Sequence, residues 1–292
     1  MRYYSSGFFE ESLSLLGFGG KCLPRNPDGT IDRKTSSELF DTAFDGGITY
    51  FYCSYTSSDI ESETVFGENL SKRRRDSYFV GSGISPLDFD SEKEAEKFID
   101  EQLLRFHTGY FDYYVVENFD ADSYKRAKDI GLRNILQRAK ELGKIRRIGF
   151  SFTGNHRDWR KSTNGINWDF AELSANYLEW ESNNIVFIYH ELIKKRIPFF
   201  ATNPFCNGKL LELAEKHKAI LREADPFLTL KQWALEWFFD KKQMFSLVID
   251  SESKDALTDE IKIMSDTQTI NSKKRHALKN MIYLINHENT DS

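Results

Sequence analysis

Residues 131–152 read GLRNILQRAKELGKIRRIGFSF. Gly131 to Leu142 carries apolar residues at helical spacing, and Gly143 follows where a helix needs a residue that closes it. Ile145 to Phe152 then reads as a strand, rich in branched and aromatic side chains. The same alternation runs outward in both directions. Upstream, Ser91 to Arg105 is a helix with Ala95, Phe98, Ile99 and Leu103 on one face. Asp90 or Ser91 can cap it, and the acids from Glu92 to Glu96 suit the positive end of its dipole. FDYYVV, residues 111–116, is a buried strand. Earlier still come the strand LLGFGG, a helix from Thr35 to Asp45, a strand from Ile48 to Cys53, a short helix from Glu61 to Leu70 and a strand from Tyr78 to Gly81. Downstream, strands at Phe170–Ala175, Pro198–Thr202 and Phe245–Ile249 alternate with helices at Ile185–Lys195, Leu228–Phe239 and Ala256–Met264.

Repeated strand–helix units imply a parallel sheet. Periodicity alone leaves two forms open, a closed eight-stranded barrel and a doubly wound open sheet. No composition break or Gly/Ser linker divides the chain, so residues 1–292 read as one domain. Arg2 to Leu16 adds a short hairpin. Asn271 to Ser292, with Ala277, Leu278, Met281, Ile282 and Leu284, reads as a final amphipathic helix packed on the body.

Of the 292 residues, 40% are hydrophobic and 14% aromatic, with 24 Phe and 13 Tyr, so the core is expected to be filled largely by rings. The net charge of -5 argues against a general binder of nucleic acid or anionic membranes. The one basic cluster, Lys72 to Arg75, is read as a solvated loop after a helix, with a partner or phosphate contact as the alternative. The cysteines Cys22, Cys53 and Cys206 form no CxxC pair, which speaks against a zinc site or an iron–sulfur cluster and fits a reducing compartment. No stretch resembles a signal peptide, and none approaches the ~20 apolar residues of a membrane span. The expectation is a soluble, cytoplasmic protein.

The stretches LLGFGGKCLPRNPDGTID, DGGITYFYCSYTSSDIESE, FGENLSKRRRDSYFV, EQLLRFHTGYFDYYVVENF, AKELGKIRRIGFSF, WDFAELSANYLEW, NPFCNGKL and the run from Gln232 to Glu260 carry a resemblance. In their order and spacing, across roughly residues 10 to 265, the chain resembles the aldo-keto reductase superfamily. It looks closest to the bacterial branch whose longer members carry an iron–sulfur tail; here no cysteine follows Cys206. The resemblance implies an α/β fold, a (β/α)8 TIM barrel, and NADPH-dependent reduction of carbonyls. In the family a tyrosine donates the proton, a lysine held by an aspartate lowers the tyrosine pKa, and a histidine helps bind the carbonyl oxygen.

Aligned without a gap from Phe51 to Glu61-Ser62-Glu63, Tyr52 stands where the aspartate belongs and Ser57 where the tyrosine belongs. Gly83 takes the lysine position, and no lysine lies between Lys72 and Lys93. Glu117 takes the histidine position. Ser57 is a poor acid of short reach, and Tyr52 is no anion at neutral pH. Two residues invite substituted chemistry: Tyr55, by a local shift of the loop, and Glu117, as steroid double-bond reductases of the superfamily carry a glutamate there. The plainer readings are a packed aromatic and a hydrogen-bonded mouth carboxylate.

On the cofactor side, Ser151 matches a residue that holds the nicotinamide amide, and Asn176 reads as a structural amide. Glu172 replaces the usual glutamine and cannot donate when ionised. Asn203-Pro204-Phe205 with Asn207-Gly208 replaces a segment that normally carries two glycines. Asp250 stands where a glycine lets the backbone approach phosphate. Ser251, Ser253 and Lys254 could serve a phosphate at the following helix, or be an ordinary cap. NADPH is therefore implied by the resemblance and weakened by the residues.

Three functions follow. The first is a catalytically silent barrel retained for binding or regulation, with its mouth filled by Tyr52, Tyr55, Phe119 and Phe205. The second is an active oxidoreductase, lyase or isomerase working through Glu117 on a small molecule. The third, and the least compatible with the residues, is the conventional reductase. The first is preferred. A small-molecule ligand at the barrel mouth is expected, and the sequence names no protein partner.

Overall fold

A computed structural model describes residues 1–5, 8–53, 60–154, 157–159, 163, 167–181, 184–266 and 270–288. A hairpin of β1 (Tyr3–Ser5) and β2 (Ser12–Ser14) leads into eight strands: β3 (Leu16–Gly19), β4 (Tyr50–Tyr52), β5 (Phe79–Ile84), β6 (Phe111–Phe119), β7 (Ile145–Phe152), β8 (Phe170–Ser174), β9 (Phe199–Thr202) and β10 (Met244–Ile249). Neighbours pair in parallel, and β10 pairs with both β9 and β3, so the sheet closes. The closed barrel decides against the open sheet that periodicity alone left possible.

Side chains alternate between the two faces of each strand. On β6, Tyr114 and Val116 face the helices, while Tyr113 and Val115 join a separate interior cluster with Tyr50, Tyr52, Phe170, Phe200 and Phe245. Rings of that size fit because the neighbouring strands answer with glycine. A Cβ on Gly149 would lie 2.5 Å from the Phe170 ring. The hairpin plugs the floor: the Phe9 ring meets Tyr113 and Phe245 edge-on at 5.8 and 5.7 Å. Arg147 stacks over Phe9 at 4.4 Å and pairs with Glu11 at 2.6 Å, with only 18% and 20% of the two side chains exposed.

The outer layer comprises α1 (Arg33–Asp45), α2 (Ile60–Leu70), α3 (Glu92–Arg105), α4 (Ala121–Asp129), α5 (Leu132–Glu141), α6 (Ile185–Lys195), α7 (Glu215–Ala224), α8 (Leu230–Glu236), α9 (Lys254–Asp266) and α10 (Ser272–Glu288). Ser91 caps α3 by accepting from Glu94 N, as expected. Sequence periodicity misses α4 and α7. Helix α4 buries only Ser123 and Ala127 and is fixed by a capping box between Asp120 and Ser123, a signal of two residues. The helix expected at Leu228–Phe239 is shorter, with Thr229 and Gln232 forming its capping box and Trp237–Asp240 winding into a 3₁₀ turn. Strands β5 and β6 run farther than expected, so Gly83 and Glu117 lie within strands rather than after them.

Two surface segments make defined contacts within the chain. The arginines of the basic cluster are matched within the chain: Arg73 with Asp41 at 2.7 Å, Arg74 with Asp76 at 2.6 Å, and Arg75 with buried Asp112 at 2.6 Å. Helix α10 packs on the body, where Ala277, Leu278 and Met281 join Tyr177, Leu210, Leu221 and Trp233 in a second core.

Candidate functional site

The C-terminal ends of the strands, where barrel sites are built, bring together Tyr52 of β4, Gly83 of β5, Glu117 of β6, Ser151 of β7, Glu172 of β8 and Thr202 of β9. Gly83 and Glu117 are directly coupled. A Cβ built on Gly83 would lie 2.7 Å from Glu117 Oε1 and 2.8 Å from its Cγ. The glutamate side chain therefore occupies the space over the glycine, where the resemblance would put a lysine. Glu117 is 4% exposed, so this carboxyl is held inside the barrel.

Tyr52 holds it there. Its hydroxyl lies 2.7 Å from Glu117 Oε1 and 2.8 Å from Glu172 Oε2. A phenol has one proton and can donate to only one of them. The second contact is a hydrogen bond only when that carboxyl is itself protonated and donates to the phenol oxygen. Glu172 is suited to that state: burial raises its pKa above the ordinary 4.5, against the lowering effect of hydrogen bonds from Tyr52 and Thr202. Thr202 Oγ1 donates to Glu172 Oε1 at 3.2 Å. With a proton on either carboxyl, Glu172, Tyr52 and Glu117 join in one hydrogen-bonded series through the phenol oxygen. Burial, then the charges of Glu117 and Glu172, push the Tyr52 hydroxyl well above the usual phenol value of 10.0. Tyr52 is fixed as a neutral donor.

A third acid stands nearby. Asp250 Oδ1 accepts from Lys21 N at 2.8 Å, and a Cβ on Gly19 would lie 2.4 Å from that oxygen. Burial raises the Asp250 pKa against the hydrogen bond from Lys21. Burial, then Asp250 and Glu252, push the Cys22 thiol above its ordinary value. This rim is acidic.

The residues expected to hold a cofactor mostly have partners already. Ser151 Oγ accepts from Asn118 N at 2.9 Å. Asn176 is fully buried; its amide donates to Glu179 Oε2 at 2.8 Å and accepts from Glu179 N, which is a structural role. Asn203 has left-handed backbone (φ 58) and accepts from Asn207 N at 2.7 Å. Ser251 is buried and donates to Glu260. Ser253 accepts from Ala256 N at 3.2 Å, as a first-turn cap does. Lys254 opens α9 and is exposed.

Tyr55 and Ser57 lie outside the described residues. Of the other two rings expected at the mouth, Phe119 turns outward against Tyr124 and Trp168, because the register shift between Val116 and Phe119 reverses its face. Phe205 is partly buried between the two helix-side cores. Sequence reasoning also missed Thr202, which a threonine ending an interior strand could have signalled, and the contact between Tyr52 and Glu172, which only closure of the sheet creates. Among the described residues, no group of three or more His, Cys, Asp and Glu is placed to hold a metal, and no helix is long and apolar enough to cross a membrane.

The family model for the aldo/keto reductase family matches residues 15–276. Solved structures of similar fold include an aldo-keto reductase from Bacillus halodurans in its holo form, at TM-score 0.77 and 17% identity over 96% of each chain. A thermostable aldo-keto reductase with the inhibitor epalrestat superposes at TM-score 0.78 and 18% identity, over 96% of this chain and 100% of that one. An aldo-keto reductase from Klebsiella pneumoniae in complex with NADPH superposes at 0.73 and 15%, over 94% and 92%. No curated protein sequence matches the chain.

Proposed function

Because the chain belongs to the aldo/keto reductase family, we propose that it has lost the family's NADPH-dependent carbonyl reduction and acts as a catalytically silent binding or regulatory barrel. The observation that carries this reading is Glu117 standing over Gly83. A family reductase needs a cation there to lower the pKa of a proton-donating tyrosine. Here an acid fills the space, and the phenol that meets it is driven away from proton release. The cofactor side supports the same reading. Ser251 is committed to Glu260, and Asp250 presents a carboxyl where a phosphate would need close approach. These residues do not fit a dinucleotide.

The hydrogen-bonded chain supports a second reading. A carboxylic acid, a phenol and a carboxylate in series can pass a proton. Glu117 could then act as acid or base on a small molecule, in a reduction of an activated double bond or in a lyase or isomerase reaction.

Titration of the purified protein with NADPH and, separately, NADH, followed by Trp fluorescence and calorimetry, tests both. The silent reading expects no binding up to millimolar cofactor. Micromolar binding would overturn it. Turnover of conjugated enones that disappears in Glu117→Gln would then establish the substituted chemistry.

A further inference from the structure

Helix α10 packs on the body through Ala277, Leu278 and Met281 and lines a cleft with Ile282 and Tyr283. This cleft, between the helix, the loop after β8 and the turn Trp237–Asp240, has a volume of about 470 Å³. Its walls include Trp180, Trp237, Ile282 and Tyr283; its charged residues are the cations Lys241, Arg275 and Lys279 and the acids Glu181 and Asp240, an excess of one cation. The volume is that of a small-molecule site. The cleft shares no lining residue with the chain of Tyr52, Glu117 and Glu172.

Lys241 distinguishes it from an ordinary surface groove. Its Nζ lies 3.6 Å from the Trp237 ring centroid and 4.9 Å from that of Trp180. Its one hydrogen bond is a long one, 3.3 Å to the Trp237 carbonyl oxygen. Among the described residues no carboxylate pairs with it: its neighbour Asp240 turns instead to Arg275 Nε at 2.9 Å. Arg275 is further fixed by donating to Ile270 O at 2.7 Å. Burial lowers the Lys241 pKa from 10.5 to about 8. Lys241 Nζ thus sits between two indoles in a partly desolvated cleft where, among the described residues, no carboxylate forms an ion pair with it, the Asp240 charge acting on it only from its own pairing with Arg275. A cationic ligand would face the charges of both Lys241 and Arg275. A neutral apolar ligand would leave the ammonium unpaired. An anion carried on a flat apolar body satisfies both the charge and the walls.

We propose that this cleft binds a small aromatic carboxylate, its carboxylate paired with Lys241 and its ring lying against the aromatic and aliphatic walls. The proposal is independent of the fate of the barrel mouth.

The full-length protein is titrated with 1-naphthoate, read by Trp emission and by calorimetry, and in parallel with the neutral 1-naphthalenemethanol. The expected result is saturable binding of naphthoate, at least about tenfold tighter than the alcohol. Lys241→Met should remove that preference while leaving the melting temperature and far-UV circular dichroism in place. Ile282→Trp, which fills the cleft from the opposite wall and leaves Lys241 intact, should abolish binding of both compounds. Equal affinity for naphthoate and the alcohol would overturn the proposal. So would undiminished naphthoate binding by either variant in its folded form.

Discussion

The two ends of the barrel interior solve the same electrostatic problem differently. At the floor, Arg147 meets Glu11 and stacks over Phe9, so a buried charge has an opposite partner and an aromatic face. At the mouth, Glu117 and Glu172 share one phenol. Burial is offset at the floor by an opposite charge, whereas at the mouth it raises the pKa of Glu172. The floor should therefore be robust to pH and intolerant of losing either ion. The mouth should tolerate loss of charge and respond to pH.

The largest effect is expected at the floor. Arg147→Met leaves Glu11 half-buried without its partner and should cost about 3 kcal/mol in urea unfolding. A cost below about 1 kcal/mol would mean the pair is solvated and the contrast is false. Next is the mouth. Gly83→Ala drives a methyl into Glu117 Oε1 and Val115 O, each 2.7 Å away, and should cost about 2 kcal/mol. Adding Glu117→Ala removes one of the two clashes, so the double variant should be more stable than the sum of the single changes by about 1 kcal/mol. Strict additivity would show that the glutamate does not occupy that space.

The pH dependence sharpens the comparison further. Glu172 has a folded pKa raised above 4.5. The stability it contributes by holding a proton is fully present below the unfolded value and is lost as pH rises through the folded one. Glu172→Gln imitates the protonated acid and should leave that slope out. Between pH 4.5 and the folded pKa, its advantage over the parent should grow by up to about 1.4 kcal/mol per pH unit. Parallel stability curves would remove the proton from the mouth. The smallest effect lies between the two ends, where the buried Tyr50 hydroxyl has no hydrogen-bond partner among the described residues. Tyr50→Phe should raise stability by about 1 kcal/mol, read as a higher melting temperature.

The sequence carried the fold well because α/β barrels write it repeatedly. Strand–helix alternation and the apolar face of α3 are local signals, and family segment order chose the closed sheet over the open one. The residues at positions 52, 83 and 117 were legible individually. Their mutual contact was not, since Tyr52 and Glu117 are 65 residues apart and meet only after β4, β5 and β6 lie side by side. Phe119 shows the opposite failure. Its position at a strand end suggested the mouth, but a one-sided register shift, invisible in composition, turned it outward. The cleft beside Lys241 was hidden for the same reason as Glu172: its walls come from three segments that only the finished molecule assembles.

The fit of Glu117 over Gly83 also acts as a ratchet. A lysine introduced at 83 in a single step would strike the glutamate at 2.7 Å before its amine could do anything useful. Changing position 117 relieves only that clash, leaves Val115 O 2.7 Å from the new Cβ, and leaves Tyr52 its contact with Glu172. The ratchet thus has two teeth, one a side chain that can be replaced and one a strand carbonyl that cannot.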